Sequence, residues 1–173
     1  GVSYPQNMHL IGWRNFGRDF DAVMQQFTRE TGQEILVVGM DRNRIASGLA
    51  FYRTQYIDAA GGQAGNDPAF QTASENLFGG VGLMYALWFP AGQQNGKTML
   101  LVAKDVSSLS TEKVLSQVKT AGDIREIGVW KQGRPAGRYY YRLVTGYQAV
   151  PSALVLTGIP ILAANHSQEA RLF

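Results

Sequence analysis

Two runs of this chain contain no polar position at all. Ile35 to Val38 is apolar throughout and ends at Gly39, and Met99 to Ala103 repeats the pattern as MLLVA. A strand with water on one side alternates apolar and polar residues. A strand without polar positions has to be covered on both faces. Such strands sit inside a sheet with helices packed above and below it, and the rest of the chain supplies those helices.

Phe16, Phe20, Val23, Met24 and Phe27 recur at i, i+4, i+7, i+8 and i+11, one apolar stripe of a first helix. Asp19 and Asp21 read as carboxylates of its first turns, and Gly32 as its left-handed C-cap. After the first buried strand, Asp41 or Asn43 can cap a second helix carrying Ile45, Ala46, Leu49, Ala50 and Tyr52. Gln55 to Ala59 reads as a short strand. Gly61 to Phe70 (GGQAGNDPAF) is a loop by composition. Leu77, Phe78, Leu83, Met84, Leu87 and Trp88 have helical spacing, and Pro90 to Gly96 is a turn. Thr98 to Ala103 is the second buried strand. Thr111 to Lys119 follows as a third helix with Val114, Leu115 and Val118 on one face. Ile124 to Lys131 and Arg138 to Tyr147 read as strands around a Gln132–Gly133 turn. This order predicts an α/β fold: a three-layer sandwich, a mixed β-sheet with helices on its faces and a C-terminal antiparallel hairpin, all in one soluble domain over residues 1–173.

The composition supports a packed core, since 45% of the 173 residues are hydrophobic and only 17% are charged. There is no cysteine, which excludes disulfide scaffolds, thiol catalysis and iron–sulfur clusters. Two windows lack Asp, Glu, Lys and Arg, from Asn76 to Gly96 and from Leu143 to Gln168. The first holds three glycines within its apolar run; the second is broken by Pro151, Gly158 and Pro160. Neither reaches the about 20 apolar residues of a spanning helix, so both read as buried or docking segments. The N-terminus shows no basic head followed by an apolar core, and the start at Gly1 suggests a piece excised from a longer chain.

Catalytic patterns are hard to find. AGQQNGKT (Ala91 to Thr98) has Ala91 where a phosphate loop needs glycine, and it leads into a strand rather than a helix. Gly79, Gly80 and Gly82 do not spell the dinucleotide fingerprint and follow no buried strand. His9 and His166 lie near opposite ends without metal-ligand spacing. Ser47 sits in Ala-Ser-Gly, not in a nucleophile elbow. The sequence therefore predicts no catalytic set, no metal site and no cofactor in this segment.

Charge is more informative. Gln55 to Gly96 holds three acids and no Lys or Arg, whereas Arg125 to Arg142 holds five cations against Glu126 alone. Period two places Arg138, Tyr140 and Arg142 on one face of the last strand. That ribbon reads either as a solvated edge strand or as a basic, aromatic surface facing phosphates of an anionic membrane. A net charge of +3 without a dense basic cluster speaks against nucleic acid. Asp41 and Arg42 follow the first buried strand, where ligands of open α/β sheets bind; helix capping is the competing role for Asp41.

Several of these segments together resemble a family. They are Gly12-Trp13-Arg14, Val38 to Arg42 (VGMDR), Ile45 to Tyr52 (IASGLAFY), Ser74 to Gly79 (SENLFG), Tyr85 to Pro90 (YALWFP) and Gly137 to Leu143 (GRYYYRL). In this order they look like the C-terminal soluble domain of bacterial membrane glycosyltransferases, the protein mannosyltransferase-like family related to the aminoarabinose transferase of lipid A. The resemblance covers about residues 10–147, and residues 148–173 form a tail outside it. It implies an α/β domain on the periplasmic face of the inner membrane, attached to a transmembrane part that carries the catalytic carboxylate. It also implies a polyprenyl-phosphate sugar as donor and a periplasmic acceptor. The competing expectation is a stand-alone extracytoplasmic α/β module for a small ligand. A nucleotide enzyme ranks below both because the glycine motifs fail.

Overall fold

A computed structural model describes residues 12–59 and 72–150. The Gly61 to Phe70 loop, His9, His166 and the tail from Pro151 onward lie outside the described residues. Helix α1 spans Trp13–Thr31, strand β1 Ile35–Gly39 and helix α2 Arg44–Ala59. Strand β2 (Thr72–Ser74) leads through a 3₁₀ turn, Glu75–Phe78, to helix α3 (Leu83–Trp88). A second 3₁₀ turn, Ala91–Gln94, precedes strand β3 (Thr98–Ala103). A third, Ser107–Leu109, precedes helix α4 (Glu112–Ser116), and the hairpin β4 (Thr120–Lys131) and β5 (Arg134–Thr145) follows.

The strands form one mixed sheet in the order β2-β1-β3-β5-β4. β1 pairs in parallel with β2 and β3, and β5 runs antiparallel to both β3 and β4. All five residues of β1 and all six of β3 are buried, as the apolar runs Ile35 to Gly39 and Met99 to Ala103 require; the Thr98 hydroxyl that opens β3 donates to Gln33 Oε1 at 2.6 Å. Their alternate side chains feed two cores. On one face Ile35, Val37, Leu100 and Val102 meet the α1 stripe Trp13, Phe16, Phe20, Met24 and Phe27, with Ile45 and Leu49 of α2. On the other, Leu36, Val38, Met99 and Leu101 meet Leu77, Phe78, Tyr85, Phe89, Leu109 and Val114. The α/β class, the mixed sheet with helices and the C-terminal hairpin are as the sequence predicts.

Several local expectations change. Gln55 to Ala59 is helical, the last part of α2, because α2 continues past the point where its capping pattern gives no further signal. α1 begins at Trp13, so Asp19 and Asp21 lie beyond its first turn; Asp19 pairs with Arg18 at 2.8 Å and Asp21 with the buried Arg53 at 3.5 Å. The predicted Thr111 to Lys119 helix shortens to α4, capped by Thr111, whose hydroxyl accepts from the Val114 N–H; Leu115 faces outward. The helical spacing from Leu77 to Trp88 is split by Gly79, whose φ of 81° places it in the left-handed region and ends the first turn. A buried strand, β2, does precede these glycines, separated from them by that 3₁₀ turn. Finally, β5 is not an edge. β4 covers it, and the hairpin turns through Gln132 and Gly133 at φ 50° and 75°, the positive values of a primed turn.

Candidate functional site

A polypeptide site needs side chains that converge without a core between them. In this fold the place is fixed by connectivity. After β1 the chain leaves for α2, which packs in the core with α1. After the neighbouring β3 it leaves for Leu109 and α4, which pack on the opposite face. Adjacent parallel strands whose connections depart to opposite faces leave a crevice outside their carboxyl ends. β1 ends into Met40, Asp41 and Arg42; β3 ends into Lys104 and Asp105.

Asp41 is half-buried, and its two carboxylate oxygens accept from the Ile45 N–H at 3.0 and 3.2 Å. It therefore holds the first turn of α2 against the strand end. Burial pushes its carboxyl above the ordinary carboxylate range, against the pull of the Ile45 N–H and of Arg44. Lys104 reaches over the Tyr139 ring, 5.6 Å from its centroid. Burial and the like charge of Arg44 lower its pKa, and Asp41 opposes that shift. Tyr139, buried beside Trp13 and Phe16, has its phenol pushed up to about 12, first by burial and then by Asp41. Asp41 and Arg44 thus act electrostatically on both Lys104 and Tyr139, at the ends of β1 and β3 and beside the middle of β5. Asp105 is turned away into its own loop: its carboxylate accepts from the Ser107 and Ser108 hydroxyls and the Ser108 N–H, which lower its pKa.

Beside this group, a cleft of about 320 Å³ opens between the start of α2 and α3. Arg42, Asn43, Ser47, Tyr85 and Trp88 line it. The Ser47 and Tyr85 hydroxyls lie 2.8 Å apart, joining the two helices. A larger hollow of about 600 Å³ lies at the other end of the sheet, between the end of α1, the start of β1 and Arg53. It is remote from the charged group at the strand ends, and its deepest cation, Arg53, is already faced by Asp21.

The sequence-predicted residues divide accordingly. Asp41 and Arg42 stand at the carboxyl end of β1, as expected. Tyr140, midway along β5, pairs in register with Ala103, so β5 passes this end of the sheet. Arg138 and Arg142 point from the same face to different partners. Arg138 lies 3.5 Å from Glu126 across the hairpin. Arg142 donates from Nε to the Gly122 carbonyl at 2.6 Å and from Nη1 to the Leu109 carbonyl at 3.2 Å. Arg142 thereby ties β5 to the turn before α4, a structural duty. Lys104, Arg44 and Tyr139 escaped the sequence reading. One signal was available for the first: both apolar runs lead to a charged residue pair, Asp41-Arg42 one residue past β1 and Lys104-Asp105 immediately after β3.

Among the described residues, no helix is long and apolar enough to cross a membrane, and no group of three His, Asp or Glu converges as metal ligands would. Against protein-family models, curated proteins and solved structures, the chain gives no match.

Proposed function

We propose that this chain is the accessory extracytoplasmic domain of a polytopic membrane glycosyltransferase that passes a sugar from a polyprenyl-phosphate carrier to a periplasmic acceptor. The bond-making carboxylate belongs to the membrane-embedded part, and this domain holds a phosphate-bearing group near it. One observation carries the reading: Arg44 and Lys104 both act on the half-buried Asp41 carboxylate at the carboxyl ends of β1 and β3, and the exposed Arg42 stands next to Asp41 in the chain. Arg44 and Lys104 carry like charge toward one carboxylate, so a second anion at this strand end meets two cations. Tyr139 and the Ile45 N–H hold Lys104 and Asp41 in place, so little order has to be created on binding.

The test uses the full-length protein. Lys104→Met and Arg44→Gln are expected to raise KM for the polyprenyl-phosphate sugar several-fold with kcat nearly kept, because they remove binding rather than chemistry. Arg29→Gln, a cation at the remote hollow, is the control. An unchanged KM in both crevice variants would reject the reading. A second reading, a stand-alone module for a small ligand, is favoured by the 600 Å³ hollow. The parent gene separates them: about ten apolar stretches, each of about 20 residues, encoded upstream support the transferase.

A further inference from the structure

α3 and the residue run leading into it carry an apolar stripe on the outside. Val81, Met84, Leu87 and Trp88 are 64, 55, 75 and 61% exposed. Met84, Leu87 and Trp88 lie at i, i+3 and i+4 on one side of α3, and Val81 stands just before its first turn. The opposite side of the same helix, Tyr85 and Phe89, is buried in the second core. A helix at a water boundary carries polar residues on its outer face; one that is apolar all round is covered on all sides. No charged residue occurs from Asn76 to Gly96, so nothing in the segment itself adapts that outer face to water.

We infer that the outer face of α3 is a lipid-contacting wedge that seats this domain in the interface of an anionic bilayer. The inference rests on the membrane-tethered reading above and names the surface that meets the membrane. The neighbouring charge selects the occupant. Arg42 is exposed and lines the same cleft as Met84 and Trp88, so a cation stands at the rim of the apolar stripe. Apolar side chains below a cationic rim match acyl chains below anionic head groups. Trp88 packs edge-on against Tyr85 with ring centroids 5.6 Å apart, and the Tyr85 hydroxyl meets Ser47. This pair has an apolar body and a polar end, the arrangement favoured where hydrocarbon meets water. The wedge is only six helical residues long, so it touches one leaflet and cannot span. It also takes over from the β5 ribbon the role of meeting the membrane, since Arg142 is engaged with backbone carbonyls.

The experiment is vesicle co-sedimentation of the chain with phosphatidylcholine, with and without added phosphatidylglycerol, at low salt. Parallel fluorescence uses brominated acyl chains in a Trp130→Phe background. Trp88 is then the exposed indole, because Trp13 is buried in the α1 core. Expected are binding that rises with the anionic lipid and falls with salt, quenching by bromine, and a loss of at least about tenfold for Leu87→Ser/Trp88→Ser. Arg42→Gln is expected to reduce only the gain from anionic lipid. Both variants alter exposed side chains, and an unchanged melting temperature verifies their fold. Equal binding by the double variant and the native chain, or no binding at low salt, overturns the wedge. So does a concentration-dependent dimer that Leu87→Ser/Trp88→Ser abolishes, since a second copy would then be the occupant. Failure here leaves phosphate binding at the crevice standing, because that is measured without lipid.

Discussion

Gly39 offers the sharpest test of how the crevice is built. It is the last residue of β1 and is buried. A Cβ placed on it would lie 2.6 Å from the Ala46 backbone nitrogen, 3.0 Å from the Ile45 Cβ and 3.2 Å from the Ala46 Cα. Carbon and nitrogen in non-bonded contact settle at roughly 3.5 Å, so the first turn of α2 has to retreat by about 1 Å. The nearest atom is helix backbone, which has no rotamer to yield. Overpacking of this kind costs about 1–3 kcal/mol. At this chain length each kcal/mol shifts the melting temperature by about 2–4 °C, so Gly39→Ala should melt about 2–12 °C lower. The control is Gly92→Ala, where a Cβ meets nothing within 4 Å. Thermal and urea unfolding of both variants, followed by circular dichroism, make the comparison, and the transitions should be cooperative. If Gly39→Ala melts within about 1 °C of Gly92→Ala, the close approach of β1 and α2 is not real. The geometry that places Asp41 beside Arg44 and Lys104 would then fall with it.

Other expectations are as direct. Phe20, fully buried in the α1 stripe, should cost about 3–5 kcal/mol on truncation to Ala; a loss under about 1 kcal/mol in urea unfolding would contradict its place in the core. Asp41→Ala should cost about 0.5–2 kcal/mol through the lost bond to the Ile45 N–H, whereas Asp41→Asn should keep most of it; equal losses would remove the capping role. Tyr139 and Tyr147 both have phenols pushed up to about 12 by burial. The folded state keeps those protons while the unfolded state releases them near pH 10, so stability is fully present below about pH 10 and is lost as pH rises toward 12. Urea unfolding across that range should show a steep alkaline loss, reduced in Tyr147→Phe, and a flat profile would contradict it.

The parts of the fold that were legible in the sequence share a physical reason: one strong local constraint. β1 has no polar position and β3 none after Thr98, so two-sided burial is forced. α1 has a stripe over three turns and ends where Gly32 takes φ 65°. The Gln132–Gly133 turn accepts the positive φ values that the hairpin requires. Where constraints were weak, the reading failed. Five residues, Gln55 to Ala59, are too few to separate a period of two from one of 3.6. β2 is three residues long and is a strand only because Thr72, Ala73 and Ser74 pair with Val37, Val38 and Gly39. The polar positions of β5 suggested an edge strand, yet Arg142 sits in an interior strand because two backbone carbonyls satisfy it. Of the candidate site, Asp41 and Arg42 were visible from the strand that precedes them. Arg44, Lys104 and Tyr139 became visible only through the order of the strands, which no local pattern encodes.

The central claim is that the carboxyl ends of β1 and β3 form a site for a phosphate-bearing ligand. Amide chemical shifts of the ¹⁵N-labelled chain, titrated without lipid at low salt with a short isoprenyl phosphate, test it most directly. The predicted result is saturable shifts at Asp41, Arg42, Arg44 and Lys104 that weaken with salt and are largely lost in Lys104→Met. Shifts confined to the hollow around Met24 and Arg53, or no shift at any residue of the crevice, would contradict the claim.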